Sequence, residues 1–198
     1  MGSGNPPDKL VAGIFVGGRS RRMGGFPKGL LQAPDGSGTL VERLRRVVLS
    51  VFPESEVVLL GEATAYSSIQ CRVLPDDPQG SGPLGGMNSL LEHARNLGAP
   101  RALALACDLP FVSDRIVRRI SLEAPEASAV VPRCDGILQP LCAAYAPGPA
   151  LLALEEELRV GRGAVMGMVH RLGGNLRVLD LASREFQDWD RPEDLPSS

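Results

Sequence analysis

Short apolar runs alternate with amphipathic helical stretches from Lys9 to Ile120, and this alternation limits the chain to one broad architecture. Lys9–Val16 is an apolar run ending at Gly17-Gly18 and reads as a buried strand. Thr39–Phe52 places Leu40, Val41, Leu44, Val47, Val48 and Val51 on one helical stripe, with Thr39 as N-cap and Glu42 at the capping-box position. Glu56–Leu60 and Cys71–Leu74 predict strands, Leu84–Leu97 a helix, and Arg101–Cys107 another strand. Ser113 then caps a helix with Ile116, Val117 and Ile120 on one face. Strand–helix alternation implies an α/β fold, with helices layered on an open, mostly parallel sheet and right-handed crossovers.

The later chain is less regular. Ala129–Val131 and Ile137–Tyr145 predict strands, but Pro140 demotes the second to an edge or broken strand. Leu151–Leu158 and Ala164–Leu172 predict helices, and Arg177–Leu181 a last strand. With no repeat and no linker, a single domain over residues 9–198 is expected. Residues 1–8 read as a flexible lead-in without the basic and apolar regions of a secretory signal. No apolar run approaches the roughly 20 residues needed to cross a bilayer. The expected location is cytoplasmic, with no membrane partner. The four cysteines form no C-x-x-C pair and read as reduced core thiols.

Formal charge is −2, which argues against nucleic acid as a partner. The distribution points elsewhere: residues 1–50 carry eight Lys or Arg against three acidic residues. Four of these cations, Arg19, Arg21, Arg22 and Lys28, lie in the glycine-rich segment that follows the first strand. Ligands of open α/β sheets bind at the carboxyl ends of strands, and glycines let backbone N–H groups approach phosphate. A small polyphosphate is therefore the expected ligand. The P-loop pattern is absent, because Lys28 lies between Pro27 and Gly29. A G-x-G-x-x-G string at Gly80, Gly82 and Gly85 follows the third strand and contains Pro83, so it is a weak dinucleotide fingerprint. Asp108, at the end of the fourth predicted strand, faces the crevice of such a sheet, where a carboxylate is able to hold Mg²⁺.

The run Gly17-Gly18-Arg19-Ser20-Arg21-Arg22-Met23-Gly24, followed by Lys28-Gly29-Leu30-Leu31, resembles the L-A-G-G-x-S-x-R-M-G…K-x-L-L signature of the molybdenum cofactor guanylyltransferases (MobA-like), with Phe15-Val16 in place of Leu-Ala. Asp76 and Gly82-Pro83-Leu84-Gly85-Gly86 resemble the family's D…G-P-L-A-G segment, which borders guanine and ribose. Cys107-Asp108-Leu109-Pro110-Phe111 resembles its C-D-x-P-F/Y motif, and Gln139–Tyr145 its H/Q-P-L-x-A-L-Y segment toward the acceptor. Phe186–Leu195 matches the frame of F-x-N-x-N-T-P-E-D-L, with Asp188 and Asp190 where the family carries asparagines.

The resemblance covers Val11–Leu195 and implies a three-layer, Rossmann-like sheet of the nucleotide-diphospho-sugar transferase type. It also implies transfer of GMP from GTP to the phosphate of molybdopterin or Mo-molybdopterin, with Mg²⁺ and release of pyrophosphate. Lys28, Arg22 and Asp108 are the implied catalytic residues, and Asp108 the implied metal ligand. Val16, Gly17, Gly18, Arg19, Ser20, Lys28, Asp76, Gly82, Pro83, Leu84 and Asp108 are the implied nucleotide contacts. Transient contact with molybdoenzymes or other cofactor-biosynthesis proteins follows from the same resemblance. Two alternatives stay open: nucleotidyl transfer to another acceptor (cytidylyl, or a sugar or polyol phosphate), and a non-catalytic nucleotide-binding homologue, which the aspartates at 188 and 190 motivate.

Overall fold

The computed structural model describes residues 9–17, 26–161, 164–181, 184–189 and 192–194. At the centre of the sheet lies β1 (Val11–Phe15), flanked in parallel by β2 (Glu56–Leu60) and β4 (Ala102–Ala106), with β3 (Arg72–Leu74) outside β2. The chain thus moves from β1 outward to β2 and β3, then returns to the other side of β1. That reversal is the switch point at which open α/β sheets leave a crevice beyond the strand ends.

Helices α1 (Leu40–Val51) and α3 (Asp114–Leu122) cover one face of the sheet, and α2 (Pro83–Asn96), α4 (Pro147–Val160) and α5 (Val165–Arg171) the other. Strand residues alternate between two cores. Ala12, Ile14 and Leu59 meet Val41, Leu44 and Val48 of α1 and Ile116 and Ile120 of α3. Val11, Phe15, Val58 and Leu60 meet Leu84, Met87 and Leu90 of α2. Each fully buried side chain of this size contributes about 1.5–3 kcal/mol. Gly13, in the middle of β1, brings α2 close, since a Cβ there would stand 2.5 Å from Leu60 Cδ1 and 3.0 Å from Leu90 Cδ1.

The caps agree with the sequence. Thr39 Oγ1 accepts the Glu42 N–H, while the Glu42 carboxylate accepts the Thr39 N–H at 2.8 Å. Ser113 Oγ likewise accepts the Ile116 N–H. Helix α2 begins at Pro83, one residue before the predicted start, and Gly85 and Gly86 lie inside its first turn. Proline is compatible with that first position because its missing N–H has no helical partner there.

The second half departs from the parallel pattern. The predicted strand Ile137–Tyr145 is broken, as Pro140 suggested, into β6 (Ile137–Leu138) and β7 (Cys142–Tyr145). The edge alternative does not hold for β7, which is interior, antiparallel to both β4 and β5 (Ala129–Cys134). Proline is tolerated because it falls between the two pairings. The Gln139 N–H donates to Pro132 O, the Cys142 N–H donates to Gln139 O, and the Tyr145 hydroxyl donates to Pro140 O at 2.7 Å. The last strand, β8 (Leu176–Asp180), lies parallel to β5. All four cysteines are free thiols, and among the described residues no helix is long and apolar enough to cross a membrane.

Candidate active site

The crevice opens where β1, β2 and β4 end. The backbone past β1 runs against the backbone past β2: a Cβ on Gly61 would stand 2.9 Å from Gly17 Cα, and Gly61 itself has φ +96°. Only glycine fits that contact and that conformation. Across the same rim, the Cys107 N–H donates to Phe15 O at 3.2 Å, which fixes the chain just before Asp108.

Lys28 reaches this rim from a different part of the chain. Pro27 leads into a 3-10 turn at Lys28–Leu30, closed by Leu30 N–H to Pro27 O and Leu31 N–H to Lys28 O. The Leu40 N–H returns to Leu31 O, tying the turn to the start of α1. The Lys28 ammonium donates to Asp108 Oδ2 at 3.0 Å, with the two side chains 12% and 23% exposed. A cation and a carboxylate 80 residues apart in sequence therefore meet at the switch point, partly shielded from water.

Asp76 follows β3 and stands over the start of α2. Its Oδ1 lies 3.1 Å from where a Cβ on Gly86 would be, and its Cβ 3.1 Å from where one on Gly85 would be. Two glycines in the first turn thus make room for this carboxylate beside the crevice, and burial pushes its pKa up. Behind Asp108 the Cys107 thiol is pushed up to about 12, first by burial and then by the Asp108 charge. It is a neutral packing group at ordinary pH, not a nucleophile.

A family model described as the MobA-like NTP transferase domain matches residues 12–172. A Pelotomaculum thermopropionicum protein named as a probable molybdenum cofactor guanylyltransferase is 36% identical, the match covering 92% of this chain and 88% of the relative. The chain belongs to the MobA-like NTP transferase family. It is a nucleotidyltransferase. The fold agrees: the crystal structure of molybdopterin-guanine dinucleotide biosynthesis protein A from Archaeoglobus fulgidus superposes with a TM-score of 0.69 at 23% identity, covering 93% of this chain and 94% of that one. A 2-C-methyl-D-erythritol 4-phosphate cytidylyltransferase from Thermus thermophilus superposes with a TM-score of 0.67 at 22% identity, covering 93% and 95%.

In this MobA-like transferase Lys28 meets Asp108 beyond β4, Asp76 Oδ1 lies 3.6 Å from where a Cβ on Gly61 would be, Gly17 packs against Gly61, and the Val16 side chain is buried in the core. Gly18, Arg19, Ser20 and Arg22 lie outside the described residues, as does Asp190. The Val16 and Gly17 N–H groups both donate to Leu60 O, at 3.1 and 3.2 Å, so these two donors are already engaged by the protein. Gly82 and Pro83 form the exposed entry to α2, whereas the Leu84 side chain is fully buried in the core and offers a ligand only main-chain atoms. Asp188 is exposed on the carboxyl-terminal segment. Among the described residues no group of three or more His, Cys, Asp or Glu is placed to hold a metal ion.

Tyr66, which no sequence motif marks, supports the Lys28 turn. The Gly29 N–H donates to the Tyr66 hydroxyl at 3.3 Å. A Cβ on Gly29 would stand 2.6 Å from Val41 Cγ2 and 2.9 Å from Tyr66 Cε1. Gly29→Ala is therefore expected to lower stability by about 1–3 kcal/mol through overpacking, measured as a shift in the urea midpoint, and to displace Lys28. An unchanged midpoint would show that the turn yields without cost.

Proposed function

We propose that the chain transfers GMP from GTP to the terminal phosphate of molybdopterin and releases pyrophosphate. The observation that carries this reading is the Lys28–Asp108 pair at the β1/β4 rim, in a chain 36% identical to a protein named as a probable molybdenum cofactor guanylyltransferase. A phosphate oxygen of the acceptor attacks the α-phosphorus of GTP. The new P–O bond forms as the bond from the α-phosphorus to the bridging oxygen breaks, and the electron pair leaves with pyrophosphate. The nucleophile is already anionic, so the protein needs to position and stabilise charge rather than abstract a proton.

Lys28 supplies a fixed cation at the rim. An incoming triphosphate offers it oxygens in exchange for Asp108, which releases that carboxylate. Mg²⁺ fits the donors present: it binds through one or two carboxylates plus substrate phosphates and waters, so it needs no cage of three protein ligands. Asp108 would hold it, and the ion, when bound, would neutralise phosphate charge during transfer. Asp76, above the first turn of α2, faces the nucleoside side of the crevice in this reading. Glycines at 17 and 61 leave bare backbone there, which in this reading would let a phosphate approach closely.

The test is to incubate the protein with Mg²⁺, GTP and a validated molybdopterin preparation and to measure pyrophosphate and the dinucleotide. Both are expected, and neither appearing would overturn the reading. Thermal shifts with GTP, CTP and ATP separate the alternatives, since a ligand at 100 times its Kd stabilises the native state by about 2.7 kcal/mol. A preference for CTP would move the assignment to cytidylyl transfer. Tight GTP binding without pyrophosphate would indicate a non-catalytic homologue.

A further inference from the structure

Residues 184–189, later in the sequence than β8, pack against the loops that carry Lys28 and Asp108. Arg184, Glu185, Phe186 and Trp189 anchor the segment. Arg184 stacks over the Phe111 ring, 5.2 Å from its centroid. The Glu185 carboxylate accepts from the Ser113 hydroxyl and from Arg115. Phe186 is buried in the core on the α1 and α3 face.

Trp189, the single tryptophan of the chain, is 2% exposed. Its indole sits among Leu31, Ala33 and Leu40 on one side and Phe111 on the other, meeting the Phe111 ring edge-to-face at 6.1 Å. Leu31 and Ala33 follow Lys28 on one loop; Phe111 follows Asp108 on the other. The indole is thus a wall shared by both loops. The main-chain N–H of Trp189 also donates to the backbone carbonyl of Asp108 at 2.9 Å. Asp108 is therefore held from two directions: the Cys107 N–H is bound to Phe15 O, and the Asp108 carbonyl is bound by Trp189.

We infer that residues 184–189 are a strap in which Trp189 is a positioning residue, setting the Asp108 loop against the Lys28 turn. This role rests on the proposed nucleotidyl transfer for its consequence in rate. Trp189 acts through the apolar residues that follow Lys28 and Asp108 and, by its main-chain N–H, on the Asp108 carbonyl. Misplacement of a reacting group by about 1 Å costs on the order of a hundredfold in rate.

The test compares the unsubstituted protein with Trp189→Ala and Trp189→Phe. Trp189 lies in a small cluster apart from the two main cores, so the alanine variant is expected to fold. Its kcat is expected to fall roughly tenfold to a hundredfold while KM for GTP moves by less than about threefold. Both variants keep the main-chain N–H; the phenylalanine variant also keeps an aromatic wall and is expected to recover most of the loss. Hydrogen exchange of residues 107–113, read without substrate, is expected to quicken in the alanine variant and to stay near the original in the phenylalanine variant. Equal kcat in all three proteins, or unaltered exchange at 107–113 in the alanine variant, overturns the strap. Absence of transfer by the unsubstituted protein removes the proposed function instead, and leaves the exchange comparison to decide the strap.

Discussion

Lys28→Ala is expected to lower kcat by about 10² to 10³-fold, the range seen when one preorganised charge-stabilising group is removed. The Lys28 turn is built from backbone bonds to Pro27 and Lys28 carbonyls, from the Gly29 contact with Tyr66, and from the return of Leu40 to Leu31. None of these uses the ammonium group, so truncation removes the charge and leaves its platform. Asp108 then loses the Oδ2 partner at 3.0 Å, but at 23% exposure it is able to hydrate. The melting temperature is accordingly expected to move by only a few degrees. Arginine is not a conservative replacement here, because its planar fork does not reproduce a compact ammonium. Steady-state kinetics at saturating GTP provide the check. A kcat within twofold of the original would remove Lys28 from the chemistry.

Asp108→Asn is the second large effect. Asparagine keeps the shape of the side chain, the main-chain bond from Trp189 to the residue's carbonyl and the Cys107 bond to Phe15. What disappears is the negative charge. Under the proposed function this costs about 10²-fold or more at a fixed, moderate Mg²⁺ concentration. Part of the loss is expected to return as Mg²⁺ is raised, because a neutral amide oxygen is a poorer ligand for a hard cation but still an oxygen. The rate is therefore to be measured across a Mg²⁺ titration for both proteins. A half-saturating concentration identical in the two would show that Asp108 does not hold the ion and acts only as the counter-charge of Lys28.

Much of the architecture is legible in the sequence because it is written locally. Thr39 with Glu42 and Ser113 announce helix starts through side-chain oxygens that accept backbone N–H groups, and the structure contains both caps. The runs at Val11–Phe15, Glu56–Leu60 and Ala102–Ala106 read as buried strands because both their faces are apolar. The direction of β7 is not legible, since a strand buried on both faces carries the same pattern whether it runs parallel or antiparallel. Pro140 signals an interruption, yet its consequence depends on Pro132, which accepts the Gln139 N–H from another strand. The glycine-rich segment and the resemblance at Lys28 and Asp108 indicate a phosphate site. Their 3.0 Å separation is a property of the sheet order, which no spacing along the chain encodes. Tyr66 and Trp189 carry no motif of their own. For Trp189 one signal was present: a lone large aromatic, between two aspartates, in a segment that otherwise looks like a solvated acidic tail.

The Gly17–Gly61 contact limits how this floor can be altered. The atoms that a side chain on Gly61 would strike are the Cα and N of Gly17, at 2.9 and 3.1 Å, and so belong to the main chain. Residue 17 is already the smallest available, so no second-site substitution there makes room for a change at 61. Compensation, the usual route by which one disruptive change is rescued by another, is closed at this pair. Divergence of ligand preference within this scaffold has to proceed through the surrounding side chains, such as Asp76, while the two bare backbones beneath stay as they are.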